Sequence, residues 1–190
     1  SIPLVESWGA KSVSCLPSAV ANPDVQKKLD VEKKHDVCFV GQITPRREEF
    51  LRELKKIVNV HVAKVWDPEE LNLLFNQSKI VLNIHSSVLL NTETRVGEVL
   101  GSGAFFLTEE LSSPNLFRDG EHCIYTKSDD IADMAEKVKY YLENENEREQ
   151  IAKQGHDYVH EHHTLTNRIE EIITKKIKKE PYLYWPAVLG

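Results

Sequence analysis

The sequence predicts an α/β fold, a parallel sheet sandwiched by helices. Three observations predict it. From Asp36 onward, short apolar runs of strand length alternate with stretches whose apolar residues recur at helical spacing. Two of those helical stretches open on a polar cap followed by proline, at Thr44-Pro45 and Asp67-Pro68. The runs Ile80-Val81-Leu82 and Ala104-Phe105-Phe106-Leu107 are apolar throughout, as strands buried on both faces are. Such alternation builds a Rossmann-like sandwich, whose ligands bind beyond the C-terminal strand ends.

In chain order, the residues up to 22 lack the pattern of a domain opening. Ser12 to Leu16 reads as a short strand, and Pro17 to Pro23 as an interdomain linker or the remnant of a preceding domain. The domain is expected over 23–179 and a tail over 180–190. Asp36 to Gly41 is a buried strand ending in glycine. The helix after Thr44-Pro45 places Phe50, Leu51, Leu54, Ile57 and Val58 on one face. Val58 to Val65 alternates as a second strand and ends at Trp66. Asp67-Pro68-Glu69-Glu70 reads as a capping box, and Leu71, Leu74 and Phe75 line the inner face that follows. Ile80 to His85 is the third strand. A helix then begins near Asn91, Thr92 or Thr94, any of which can cap it, and a glycine stop precedes the Ala104 strand. Glu109 to Phe117 reads as a turn, and His122 to Tyr125 as the last strand. Ser128 caps a helix with Ile131, Met134, Ala135, Val138, Tyr141 and Leu142 inside. Residues 143–148 form a polar break before a helix marked by Ile151, Gly155, Tyr158 and Val159. Thr164 starts the last helix, whose apolar stripe is Leu165, Ile169, Ile172, Ile173 and Ile177.

Composition narrows the function. The chain is 41% hydrophobic and 28% charged, which fits a folded globular domain rather than a disordered one. A net charge of -6 argues against a nucleic-acid binder, which needs a basic surface. Lys175 to Lys179 reads as a helix C-terminus answering the dipole. No apolar stretch is long enough to span a bilayer. The cysteines, Cys15, Cys38 and Cys123, are odd in number and far apart, so neither a zinc site nor a disulfide framework is expected, and a cytoplasmic location is. The opening Ser1-Ile2-Pro3 reads as the start of a fragment.

Candidate site residues fall at predicted strand ends and helix starts. Free N–H groups at the helix start near Thr92 attract anions. Arg95 lies in the first turn, with Glu98 one turn on along the same face. An arginine pairs with phosphate, and a carboxylate accepts from sugar hydroxyls, which is the chemistry of a nucleotide-sugar pocket. Arg46 and Arg47 begin a helix just beyond Gly41, within reach of the same crevice. Asn83 and His85 end a strand; His85 either touches a ligand or satisfies an internal hydrogen bond. Gly97 and Gly103 either admit a ligand closely or serve helix packing and termination. His156, His160, His162 and His163 could suggest a metal, but capping at a helix junction is the preferred account and no metal site is expected.

These residues resemble the C-terminal, donor-binding domain of GT-B glycosyltransferases. The resemblance is closest to the glycosyl transferases group 1 domains and the branch related to the spore maturation protein CgeB. It runs from Asp36 to about Ile173 and rests on Phe39-Val40-Gly41 followed by Arg46, Ile80-Val81-Leu82-Asn83, and Arg95-Val96-Gly97-Glu98. It continues through Gly103-Ala104-Phe105-Phe106-Leu107, Leu116-Phe117-Arg118-Asp119-Gly120-Glu121 and Arg148 to Gly155, then His163-Thr164 and Arg168. Leu16-Pro17-Ser18-Ala19 resembles the interdomain linker of such enzymes. The resemblance implies a nucleoside-diphosphate sugar as donor and no cofactor beyond it. The leaving diphosphate would be stabilised without metal by Arg46, Arg95 and the helix start near Thr92. Glu98 would hold the ribose, and Gly41, Arg47, Asn83, His85, Thr92 and Gly97 would help bind the donor. Many relatives carry a second glutamate where this chain has Leu90, and Glu93 is the candidate to replace it. The acceptor would sit on an N-terminal GT-B domain, so this piece alone would transfer sugar poorly. A catalytically inactive nucleotide-sensing or scaffold domain and a nucleotide-sugar epimerase are the alternatives.

Overall fold

A computed structural model describes residues 2–11, 13, 16, 18, 20–86, 93–110 and 116–174. A short helix, α1 (Ile2–Ser7), precedes the region where the periodic pattern begins. The strands and helices then alternate as β1 (His35–Val40), α2 (Pro45–Leu54), β2 (Val60–Ala63), α3 (Pro68–Asn76), β3 (Ser78–Asn83), α4 (Thr94–Gly101), β4 (Phe106–Glu109) and β5 (Ile124–Thr126). Three helices complete the chain: α5 (Ile131–Glu143), α6 (Glu145–His162) and α7 (Leu165–Ile173).

The five strands form one sheet in the order β2-β1-β3-β4-β5, and every pairing is parallel. From β1 the chain goes outward to β2, then crosses back to β3 and proceeds the other way. The order therefore reverses between β1 and β3, and the crevice of an open parallel sheet lies there. Side chains alternate across the sheet and decide the two layers. Val37, Phe39, Ile80 and Leu82 face one core with Phe50, Leu54, Met134 and Val138 of α2 and α5. Cys38, Val40, Val81 and Phe106 face the other with Phe75, Val96, Val99 and Val159 of α3, α4 and α6. Phe39, Phe75, Phe105 and Phe106 are almost wholly buried, each worth roughly 1.5–3 kcal/mol relative to exposure.

Local capping chemistry explains several starts. Thr44 caps α2 by accepting from Arg47 N, with Pro45 in the first turn. Asp67 caps α3 through the N–H groups of Glu69 and Glu70; among the described residues Glu70 returns no bond to complete the box. Thr164 and Asn167 form a reciprocal capping box on α7.

Elsewhere the structure differs from expectation. The cap of α4 is Glu93, whose side chain makes no capping bond; Asn91 and Thr92 lie outside the described residues, as does Leu90. Strand β4 runs to Glu109, which was expected in a turn. Asp130 caps α5 instead of Ser128 by accepting from Asp133 N. The polar break before α6 shrinks to Asn144. The reason is Arg148, which is buried and donates to the last carbonyls of α5, Tyr141 O at 2.7 Å and Leu142 O at 3.5 Å. Ala21, in the expected linker, is buried in the core and bridges Thr164. The apolar stripe of α7 is exposed, from 49% at Leu165 to 73% at Ile173, and the inward side of that helix carries Arg168 against His163 Nδ1. Lys175 to Lys179, Ile177 and the aromatic tail lie outside the described residues. No helix among the described residues is long and apolar enough to cross a membrane.

Candidate functional site

Charged groups meet where β1, β3 and β4 end and α2 and α4 begin. Thr44 and Pro45 start α2 so soon after β1 that Arg46 and Arg47 fall in its first turn, above the sheet edge. Every nitrogen of the Arg46 guanidinium is engaged. Nε donates to Asp129 Oδ1 at 2.8 Å, and Nη1 donates to His85 O at 2.7 Å and to Glu109 Oε2 at 2.8 Å. Nη2 donates to Glu109 Oε1 and lies 2.7 Å from Asp129 Oδ1. The Glu109 hydrogen bond raises the Arg46 pKa against the opposing effect of burial. Glu109 is itself fully buried, and it also accepts from His85 N at 2.7 Å and Asp129 N at 3.2 Å.

Arg47 turns the other way. Its guanidinium lies over the Phe39 ring, with Nε donating to Ile84 O at 2.7 Å and Nη1 to Gln42 O at 3.0 Å. Burial lowers its pKa, and Glu93, Arg46, Arg95 and Glu109 all act on it. His85 is buried at the end of β3; its Nδ1 lies 3.3 Å from Glu93 Oε1. Its Nε2 is buried and has no hydrogen-bond partner among the described residues. Burial alone would raise the Glu93 pKa. The His85 hydrogen bond and the charges of His85, Arg47 and Arg95 outweigh it, and the carboxyl lies below its ordinary range. Arg95 packs over Phe75 and forms an ion pair with Glu98, Nη1 to Oε2 at 2.9 Å, although these two atoms are not aligned as a hydrogen bond.

The structure thus brings Arg46, Arg47, His85, Arg95 and Glu98 together, with Glu93 among them. Gly41 lies beside this cluster: a Cβ there would stand 3.5 Å from Arg47 Nη1, an ordinary contact. Asn83 spends its amide inside the sheet, donating to Thr108 Oγ1 at 3.2 Å. Gly97 is covered by the chain itself: a Cβ would lie 2.4 Å from Val20 O, so its small size serves close packing of α4 on Val20. Gly103 adopts φ +69° just past α4, the conformation of a helix terminator. Thr92 lies outside the described residues, and at the start of α4 the N-cap position is held by a carboxylate, Glu93. His156 and His160 cap the other end of α4, Nδ1 3.3 Å from Leu100 O and Nε2 2.9 Å from Gly101 O. Among the described residues no group of three or more His, Cys, Asp or Glu is placed to hold a metal.

Sequence reasoning missed Glu109 and Asp129. A signal existed for Glu109, since a carboxylate ending an apolar central strand sits where ligands of such sheets bind. Asp129 carries none: its place against Arg46 comes from the turn after β5.

The profile of a family described as glycosyl transferase-like matches residues 27–174. No curated protein sequence matches significantly. Among solved structures, TarM of S. aureus, in complex with fondaparinux, alpha-GlcNAc-glycerol and UDP, is similar with a TM-score of 0.68 at 10% identity, over 91% of this chain and 41% of that one. The C-terminal domain of a glycosyl transferase group 1 family protein, LpcC of Francisella tularensis, gives 0.60 at 13% identity, over 76% of this chain and 99% of that domain. HepE of Anabaena, in complex with UDP-glucose, gives 0.62 at 9% identity, over 83% of this chain and 55% of that one. The chain thus spans about half or less of the TarM and HepE chains that it matches.

Proposed function

Because the chain belongs to the glycosyl transferase-like family and has the Rossmann-like fold of a GT-B domain, we propose that it is the donor-binding lobe of an enzyme moving a sugar from a nucleoside-diphosphate sugar to an acceptor. The observation that carries the reading is the gathering of Arg47, His85, Glu93, Arg95 and Glu98 at the switch between β1 and β3, with His85 Nε2 buried and without a partner among the described residues. As the glycosidic bond to phosphate breaks, negative charge grows on the leaving diphosphate. Arg47, held by the carbonyls of Ile84 and Gln42, and Arg95, packed over Phe75 beside Glu98, stabilise it with no need of a metal. Glu98 accepts from the ribose hydroxyls once Arg95 turns to phosphate. His85 Nε2 hydrogen-bonds to phosphate or sugar, and Glu93 fixes the imidazole from behind and stands in for the glutamate replaced by Leu90.

The UDP and UDP-glucose complexes of TarM and HepE make uridine donors the first to test. The acceptor belongs to a second lobe, and the exposed stripe of Leu165, Ile169, Ile172 and Ile173 offers it a surface. The motif Arg95-Val96-Gly97-Glu98 supports the CgeB-related branch, and the buried unpaired Cys38 and Cys123 fit a cytoplasmic setting. A second reading, a nucleotide sensor without catalysis, is favoured by the full occupation of Arg46 and by Leu90.

Calorimetric titration with uridine, guanosine, adenosine and thymidine diphosphates tests the lobe. At least one should bind, with phosphates near residues 41–47 and 93–98 in a co-crystal; binding by none overturns the reading. Donor hydrolysis or transfer by the full-length protein then decides between enzyme and sensor.

A further inference from the structure

The carboxylates around Arg46 are not equivalent, and the difference bears on how a diphosphate enters the site of the donor-lobe reading. Glu109 is fully buried and bonded on all sides: to Arg46 twice, to His85 N and to Asp129 N. It cannot leave without stranding several donors. Asp129 has a side chain 57% exposed, and among the described residues its carboxylate touches Arg46 alone. Its backbone sits at φ +58°, in the left-handed region that non-glycine residues seldom occupy. The turn that carries it is held by Asp129 N on Glu109 and by Lys127 N on Asp133 of α5, so the exchange needs only the exposed Asp129 side chain to rotate off Arg46.

A carboxylate and a phosphate compete for the same N–H edge of a guanidinium, with the same paired geometry. Arg46 has no other edge to offer, since its remaining N–H groups are held by Glu109 and by His85 O. We propose that Asp129 occupies a phosphate seat on Arg46, and that a diphosphate binds there by displacing this carboxylate while Glu109 keeps the guanidinium in place. The seat then discriminates by charge. A diphosphate can expel Asp129, whereas a nucleoside has nothing to exchange for it.

Binding of uridine diphosphate, inorganic diphosphate and uridine to the full chain tests the exchange. Guanosine, adenosine and thymidine diphosphates serve in place of the first if one of them binds better. Asp129→Asn keeps the size of the side chain and tolerates the left-handed backbone, but competes for Arg46 without charge. It should tighten both diphosphates roughly five-fold at low salt, less at high salt, and leave uridine unchanged. Glu110→Gln, an exposed neighbour with the same change in net charge, is the control and should move affinity less than about two-fold. Diphosphate binding by the wild type with no gain in Asp129→Asn, or an equal gain in Glu110→Gln, overturns the seat and leaves the donor lobe standing. If neither wild type nor Asp129→Asn binds any diphosphate, both readings fall.

Discussion

At the scale of single residues, burial sets apart two glutamates that a sequence treats alike. Glu98 pairs with Arg95 over 2.9 Å in a half-buried setting, the two facing atoms themselves buried, so losing its carboxylate costs about 1–2 kcal/mol, between an exposed pair and a fully buried one. In the donor-lobe reading it also grips the ribose, where a hydrogen bond to a charged group is worth more. Glu98→Ala should therefore weaken nucleoside-diphosphate binding at least about ten-fold while unfolding free energy falls by no more than about 1–2 kcal/mol. Calorimetry beside urea titration checks this, and equal affinity in the two proteins would remove Glu98 from the site. Glu109 is the reverse case. It is wholly buried and neutralises Arg46, so Glu109→Gln should cost about 3 kcal/mol in urea unfolding, the scale of breaking a buried pair from one side. A loss near zero would mean that Arg46 has other buried compensation.

At the scale of elements, close approach of helices to loops depends on missing side chains. In α6, a Cβ at Gly155 would stand 2.3 Å from His122 O and 2.9 Å from Leu100 Cδ2. Alanine gains about 1 kcal/mol of helix propensity over glycine. The clash is with backbone, which yields poorly, so overpacking of about 1–3 kcal/mol or more wins. Gly155→Ala should lower the thermal midpoint; a raised midpoint would show that α6 can shift away from the His122 turn. The same geometry joins α4 to Val20 through Gly97, and α4 to α6 through His156 and His160 on its final carbonyls. These three joints hold the helix that presents Arg95 and Glu98, so the site rests on packing contacts outside the charged cluster itself.

At the scale of the whole molecule, acid should loosen the fold. Burial, and then the charges of Arg168, His162 and His122, lower the His163 pKa to about 4. The unfolded chain, at about 6.5, binds the proton first, so stability is complete above pH 6.5 and falls as pH drops through that window toward 4. The loss from this residue reaches about 3 kcal/mol, and His35, His122 and His156, lowered mainly by burial, act in the same direction. Urea unfolding at pH 7.5 and pH 5 measures it, and His163→Gln should remove much of the difference. The sequence by itself determined what neighbours within a turn or two can encode: the alternation of elements, the caps at Thr44, Asp67 and Thr164, the two-faced apolar strands, and Arg46, Arg47, Arg95 and Glu98 in the helix turns that follow strand ends. Tertiary structure alone decided which charges meet. Arg46 finds Glu109 and Asp129 across 63 and 83 residues, Gly97 meets Val20, and the apolar stripe of α7 lies exposed. Periodicity reports which face of an element is apolar. Strand order, register and the packing of distant loops decide what that face, or a buried carboxylate, finally touches.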